Sequence, residues 1–228
     1  MGEIAKYDLF NDRLIKDSNG FVQKCKSGET GMFLAAINKT NPIPGYKSNK
    51  DATKKKIIED VFKKGDCYFI SGDLMKLHPG EYVSFVDRLG DTFKWKGEVV
   101  ATNEVADILN RFGSIEDSNV YGVEVKGMEG RAGMAALTML QGHKMNWADL
   151  ASYVIENLPQ YARPHFVRIR KEKDATSSFK QIKTELQEDG FDPSIIKDPL
   201  YFLNPEKEKY IKLSKKVFEE IHNGIYKF

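Results

Sequence analysis

The sequence predicts an α+β protein. A small β-rich subdomain, expected as a distorted, barrel-like unit, comes first. A compact α+β domain follows, with a small three-stranded sheet and flanking helices. Three observations predict this. Up to residue 89, turn signals separate short apolar or alternating runs, as strands require. Beyond it, runs with helical spacing alternate with strand-like ones. The length of 228 residues, 41% hydrophobic and 30% charged, suffices for one large or two small cores. The expected domains are residues 1–89 and 90–228.

In the first part, DSNGF and KSGETG are turns, and MFLAAI is a short buried strand. NPIPGYKSN is a loop, because its prolines and glycine block regular structure. Asp51 is placed as the cap of a helix over ATKKKIIEDVFKK, whose Ile57, Ile58, Val61 and Phe62 share a face. CYFISGDLMKL and the alternating EYVSFVDRL form a hairpin across the HPGE turn.

In the second part, GDTFKWKGEVV is short and extended around its glycines. Thr102 or Asn103 is expected to cap a helix running to about Arg111. NVYGVEV, AGMAALTML and HFVRIR supply the three strands. NWADLASYVIENL is a helix capped by Asn146 and closed by Pro159. SSFKQIKTELQEDG is a lysine-bearing helix or turn. PEKEKYIKLSKKVFEEIHNG is expected as one long amphipathic helix.

Charge and cysteine usage exclude several function classes. Thirty-five Lys and Arg against 33 Asp and Glu leave a net charge of +2, so nothing calls for a nucleic-acid partner. No apolar run approaches the ~18 to 20 residues that span a bilayer. MGEIAKYDLF lacks the order of a signal peptide. Cys25 and Cys67 stand far apart and form no metal-ligand pair, so a reduced, cytoplasmic setting is expected. No metal-site spacing is present. His78, His143, His165 and His222 are scattered and read as surface or structural residues.

Three segments could carry chemistry. Ser71-Gly72-Asp73-Leu74 ends a strand with a carboxylate able to hold a sugar diol, although an Asp after Gly is commonly a turn residue. Asp87-Arg88-Leu89-Gly90-Asp91 runs into Thr92-Phe93-Lys94-Trp95-Lys96-Gly97-Glu98. Here Arg88 offers a planar fork to oxygens, and Gly90 leaves the backbone free to pivot. The competing reading is a charged loop around one buried tryptophan. Thr176-Ser177-Ser178-Phe179-Lys180 presents one lysine on a small-polar turn, which by itself could be solvated surface.

In this order and spacing, SGDL, DRLGDTFKWKGE, NEVADIL and TSSFK resemble the adenylate-forming enzymes. The likeness is to the fatty acid transport protein / very-long-chain acyl-CoA synthetase family, from about residue 1 to beyond 200. It implies the C-terminal portion of a fatty acid–CoA ligase. Such an enzyme uses ATP, Mg²⁺ and coenzyme A to make acyl-CoA, AMP and pyrophosphate through an acyl-adenylate. It also implies that the small domain swings on a hinge between the two steps. By motif match, Asp73 would hold the nucleotide ribose and Arg88 the same nucleotide. Gly90 and Asp91 would be the hinge, Lys180 the catalytic lysine, and Lys96, Gly97 and Glu98 the loop facing coenzyme A. Partners are then fatty acid, ATP and coenzyme A, with membrane association expected only through upstream segments.

The chain departs from the family pattern in three places. Val99 stands where asparagine is usual, and Ser177 and Ser178 stand where glycine and threonine are usual. The Thr/Ser/Gly-rich phosphate loop and the aromatic-Thr-Glu segment do not occur in these 228 residues. The chain alone is therefore expected to be inactive. A stand-alone nucleotide- or coenzyme A-binding regulatory module with the same fold is the alternative reading. Membrane association through the basic 51–64 segment is a weaker third.

Overall fold

The structure, a computed structural model, describes residues 2–38, 56–171 and 179–228. The chain divides into two compact units, Met1–Gly90 and Asp91–Phe228.

The first unit is built on strands β1 (Gly2–Ala5), β2 (Tyr7–Asp8), β3 (Arg13–Leu14), β4 (Thr30–Ala36), β5 (Ile57–Glu59), β6 (Cys67–Leu77) and β7 (Val83–Arg88). Its main sheet has the order β1-β4-β6-β5, with β7 also paired to β6. Among the described residues the expected barrel does not close: β1 and β5 lie at opposite edges of this sheet and do not pair. Ile4, Met32, Leu34, Val61 and Leu74 are among its buried apolar residues.

The helix expected over ATKKKIIEDVFKK is corrected where the structure describes it. Ile57, Ile58 and Glu59 pair antiparallel with Phe69, Tyr68 and Cys67. Two adjacent β-branched residues suit a pleated strand, and pairing with β6 overrides the helical spacing. Asp51 and the NPIPGYKSN loop lie outside the described residues.

The hairpin of β6 and β7 forms, with His78 N–H donating to the Tyr82 carbonyl at 2.8 Å across the turn. The alternation expected in β7 does not carry through. Val83, Ser84 and Phe85 are exposed, whereas Val86 and Asp87 are both buried. The register explains this. Leu74 faces Asp87 and Met75 faces Phe85, so Val86 is an extra, bulged residue that reverses the faces after it.

The second unit contains the hairpin β8 (Phe93–Trp95) and β9 (Glu98–Val100), helix α1 (Thr102–Leu109), and strands β10 (Ile115–Val123) and β11 (Ala132–Met139). Then come α2 (Trp147–Asn157), β12 (Phe166–Arg170), α3 (Phe179–Asp189), β13 (Leu200–Asn204), β14 (Lys209–Lys212) and α4 (Lys215–His222). Among the described residues its sheet has five strands, in the order β10-β11-β12-β13-β14, rather than the expected three. The two unforeseen strands come partly from the stretch read as one long helix. Asn204 Oδ1 accepts from the Glu206 and Lys207 amides and closes a turn, so Lys209–Lys212 folds back on β13. Ser214 then caps the much shorter α4, accepting from Val217 N–H.

Two cap expectations separate here. Asn146 accepts from the Ala148 and Asp149 amides at 3.1 and 3.4 Å, as expected. Neither Thr102 nor Asn103 caps α1: the capping position is Ala101, with no side-chain cap bond. The Thr102 hydroxyl is engaged elsewhere, accepting from buried Lys183 Nζ at 2.5 Å. The core lies on the sheet, where Tyr121, Met134, Leu137, Leu150, Phe166 and Phe202 are essentially inaccessible. Among the described residues no helix is long and apolar enough to cross a membrane.

Polar contacts tie helix α3 down, Lys183 along it and Asp189 at its end. Lys183 holds it to Thr102. Arg168 on β12 donates from one nitrogen to Asp189 at 2.6 Å and from another to Asp198 at 2.7 Å, with its side chain 12% exposed. Removing a nearly buried arginine leaves two carboxylates unpaired. Arg168→Ala should therefore cost about 2 kcal/mol, below the loss for a fully buried pair because Asp189 is partly solvated. Urea denaturation would measure it, and a change under about 0.5 kcal/mol would contradict the anchoring role.

Candidate functional site

Asp73 owes its position to an irregularity in β6. Leu34 pairs with Ile70, and Met32 with Leu74. Ser71, Gly72 and Asp73 therefore all lie opposite Phe33. Gly72 makes the bulge possible with φ at +86°, where a side chain is strained. Ser71 serves the backbone groups that the bulge leaves over. Its hydroxyl donates to the Phe33 carbonyl at 3.0 Å and accepts from the Asp73 amide at 2.9 Å. The motif SGD is thus a bulge with its own internal support, and it re-aims the aspartate.

On the other edge, Arg88 is the cross-strand partner of Asp73, and Arg88 Nε lies 3.4 Å from Asp73 Oδ1. The arginine side chain is 61% exposed and the aspartate 32%, so both keep surface available to a ligand. Asp87, not foreseen as important, is fully buried beside them, and its Oδ1 accepts from the Arg88 amide at 2.8 Å. Its signal was its position inside the DRLGD segment.

Gly90 and Asp91 lie in a short 3-10 turn, Leu89–Asp91. Gly90 is exposed, and a side chain built on it would meet nothing within 4 Å among the described residues. Neither packing nor backbone conformation requires a glycine there in this arrangement.

Lys96 and Gly97 are the two central residues of the β8–β9 hairpin. Trp95 pairs with Glu98 across them, and their φ angles are +51° and +82°. Two consecutive positive φ values define the turn that matches strand twist, and Gly97 adopts it without strain. Lys96, Gly97 and Glu98 are all exposed. Lys96 Nζ donates to the main-chain carbonyl oxygen of Phe228. Beneath the turn, Trp95 is wholly buried. Val99 is half-buried and pairs with Lys94 within the hairpin.

Lys180 is the second residue of α3, three positions before the anchored Lys183. Thr176, Ser177 and Ser178 lie outside the described residues. Asp73 and Arg88 are thus brought together in the first unit. The turn residues and Lys180 belong to the second unit. Among the described residues, no group of three His, Cys, Asp or Glu side chains could hold a metal ion.

His165, read from sequence as ordinary, is buried against Trp95, with ring centroids 5.5 Å apart. Its Nε2 and the Trp95 indole nitrogen have no hydrogen-bond partner among the described residues. Burial, aided by the charges of Lys96 and Arg163, lowers its pKa from 6.5 to about 4.

Residues 104–180 match the family described as the AMP-binding enzyme C-terminal domain, and the match ends at Lys180. Long-chain fatty acid transport protein 2 of Rattus norvegicus is 44% identical over 223 residues, which are 98% of this chain and 35% of that protein. Medium/long-chain-fatty-acid–CoA ligase FadD6 of Mycobacterium tuberculosis is 39% identical over 220 residues, 96% of this chain and 36% of that protein. The chain therefore spans about a third of the length of these relatives. Among solved structures, ATP-bound MatB from Rhodopseudomonas palustris aligns with a TM-score of 0.63 at 19% identity, covering 82% of this chain and 34% of that one. At that identity the likeness shows the fold alone.

Two expectations follow. Gly72→Ala forces a side chain into a positive-φ bulge and should cost about 1–2 kcal/mol, whereas Gly90→Ala should leave thermal stability unchanged. Comparable melting shifts for both would contradict these assignments. His165 has a folded pKa below its unfolded one. The stability from keeping it neutral is complete above about pH 6.5 and is lost as pH falls through about 4, some 3 kcal/mol in all. His165→Phe should flatten urea-derived stability between pH 7 and pH 4, and an unchanged slope would show that other groups set it.

Proposed function

We propose that this chain, which carries an AMP-binding enzyme C-terminal domain and is homologous to fatty acid transport proteins and a fatty-acid–CoA ligase, supplies the nucleotide clasp, hinge and moving domain of a fatty acid–CoA ligase. One observation carries the reading. Asp73 and Arg88 are paired across adjacent strands, and Arg88 lies two residues before Gly90, where the first compact unit ends.

In the first step a fatty-acid carboxylate oxygen attacks the α-phosphorus of ATP, and pyrophosphate leaves. The Asp73 carboxylate accepts hydrogen bonds from the ribose hydroxyls. The Arg88 guanidinium, free on much of its surface, holds nucleotide oxygens. The Lys180 ammonium meets the negative charge that develops on the carboxylate and α-phosphate oxygens. Magnesium, when bound with the nucleotide, would neutralise phosphate charge; among the described residues no His, Cys, Asp or Glu cluster is placed to hold it. In the second step the coenzyme A sulfur, as thiolate, attacks the acyl carbonyl carbon and AMP leaves. The second unit turns about Gly90 and Asp91 between the steps, so the Lys96–Gly97–Glu98 turn replaces Lys180 at the reacting centre. Two tethers on α3, at Thr102 and Arg168, let it move as one piece with its sheet.

The test separates the half-reactions in the full-length protein. Lys180→Ala should reduce fatty-acid-dependent pyrophosphate exchange by about 100-fold or more, and leave thioester formation from supplied acyl-adenylate within about threefold. Equal loss of both half-reactions would remove Lys180 from this role.

A further inference from the structure

The Lys96–Gly97 turn is exposed and has little packing of its own. Left to itself, a long lysine at positive φ samples many arrangements. Beyond its own hairpin pairing and the Trp95–Gly130 bridge beside it, two contacts from Phe228 restrain it. The Phe228 carbonyl accepts from Lys96 Nζ, 132 positions away in the chain. The Phe228 ring packs edge-on against Trp95, the buried residue directly under the turn, with centroids 5.8 Å apart.

The same ring is seated by three more rings of the core. His165 lies at 5.1 Å, Phe202 at 5.7 Å and Phe166 at 6.1 Å. It therefore sits beside the two buried nitrogens with no hydrogen-bond partner among the described residues, Trp95 Nε1 and His165 Nε2. A ring there does more than fill space. If it is removed, water gains a path to a buried donor and a buried imidazole nitrogen. Hydrating them is favourable, so the support under the turn loosens rather than collapsing back.

We infer that Phe228 is a positioning residue: it clamps the Lys96–Gly97 turn through its ring and its carbonyl, and thereby sets the coenzyme A step. The coenzyme A half of this inference rests on the function proposed above; the clamp itself rests on geometry alone. The helix bearing Lys180 is tied to its surroundings through Lys183 and Arg168. Loss of the Phe228 ring should therefore divide the two half-reactions.

The experiment uses the full-length protein with Phe228→Ala, Phe228→Leu and Lys96→Met. Hydrogen exchange, followed by mass spectrometry, reads the turn without any need for activity. In Phe228→Ala, peptides covering residues 93–100 should exchange about tenfold faster, while those from α3 stay unchanged. KM for coenzyme A should rise about tenfold, with pyrophosphate exchange within twofold of the parent. Phe228→Leu, which keeps apolar bulk, should restore most of both. Lys96→Met should loosen the turn similarly, and the double variant should be no looser than the worse single one, because both remove one clamp. Unchanged exchange at 93–100 overturns the clamp whatever the activity. Faster exchange with both half-reactions falling equally overturns the link to coenzyme A. A loosened turn in a protein that makes no thioester at all supports the clamp and overturns the functional reading beneath it.

Discussion

The eleven residues of β6, Cys67–Leu77, are hydrogen-bonded along both edges, and neither edge runs in simple register. On one side three residues, Ser71 to Asp73, face the single Phe33. On the other, Val86 is the extra residue. A regular ladder would alternate side chains strictly between two faces and send every second residue into the core. The two bulges break that alternation where the Asp73 carboxylate and the Arg88 guanidinium stand together, both partly exposed. Asp73 and Arg88 depend on it for their pairing, and Asp87 for its burial. A bulge costs ladder hydrogen bonds, and Ser71 replaces two of them with its hydroxyl.

The second unit carries two chemically distinct elements, a lysine-bearing helix and a two-residue turn. Each has its own restraint. Helix α3 is held by a buried lysine–threonine contact near its start and by the Arg168 ion pairs at its end. The turn is held by Trp95 below and Phe228 beside it. A five-stranded sheet, two strands wider than expected, supports both.

Where the structure departs from the local sequence pattern, a distant partner is the physical cause. Ile57 and Ile58 have helical spacing with Val61 and Phe62, but four positions are too few for period to outweigh a partner strand. The stretch 209–222 is charged throughout, and its alternation around Tyr210 and Ile211 was submerged in an amphipathic pattern. A turn closed by Asn204 decided it. Thr102 looked like a cap because its hydroxyl is well suited to one, yet Lys183, 81 positions away, claimed that oxygen. His165 carried no local sign at all. What sets its ionisation is burial beside Trp95, which is a property of the packed core.

The sequence by itself determined the α+β class, most strands and the Asn146-capped helix, because these rest on short-range periodicity and turn chemistry. It also carried the ordered segments SGDL, DRLGDTFKWKGE and TSSFK, whose likeness to a known family the comparisons support. Only the tertiary structure decided that Asp73 faces Arg88, that Lys183 anchors the lysine helix, and that Phe228 seats the Lys96–Gly97 turn. Those three pairings join residues 15, 81 and 132 positions apart, and no local propensity encodes which distant partner a bulge, a buried cation or an aromatic ring will meet.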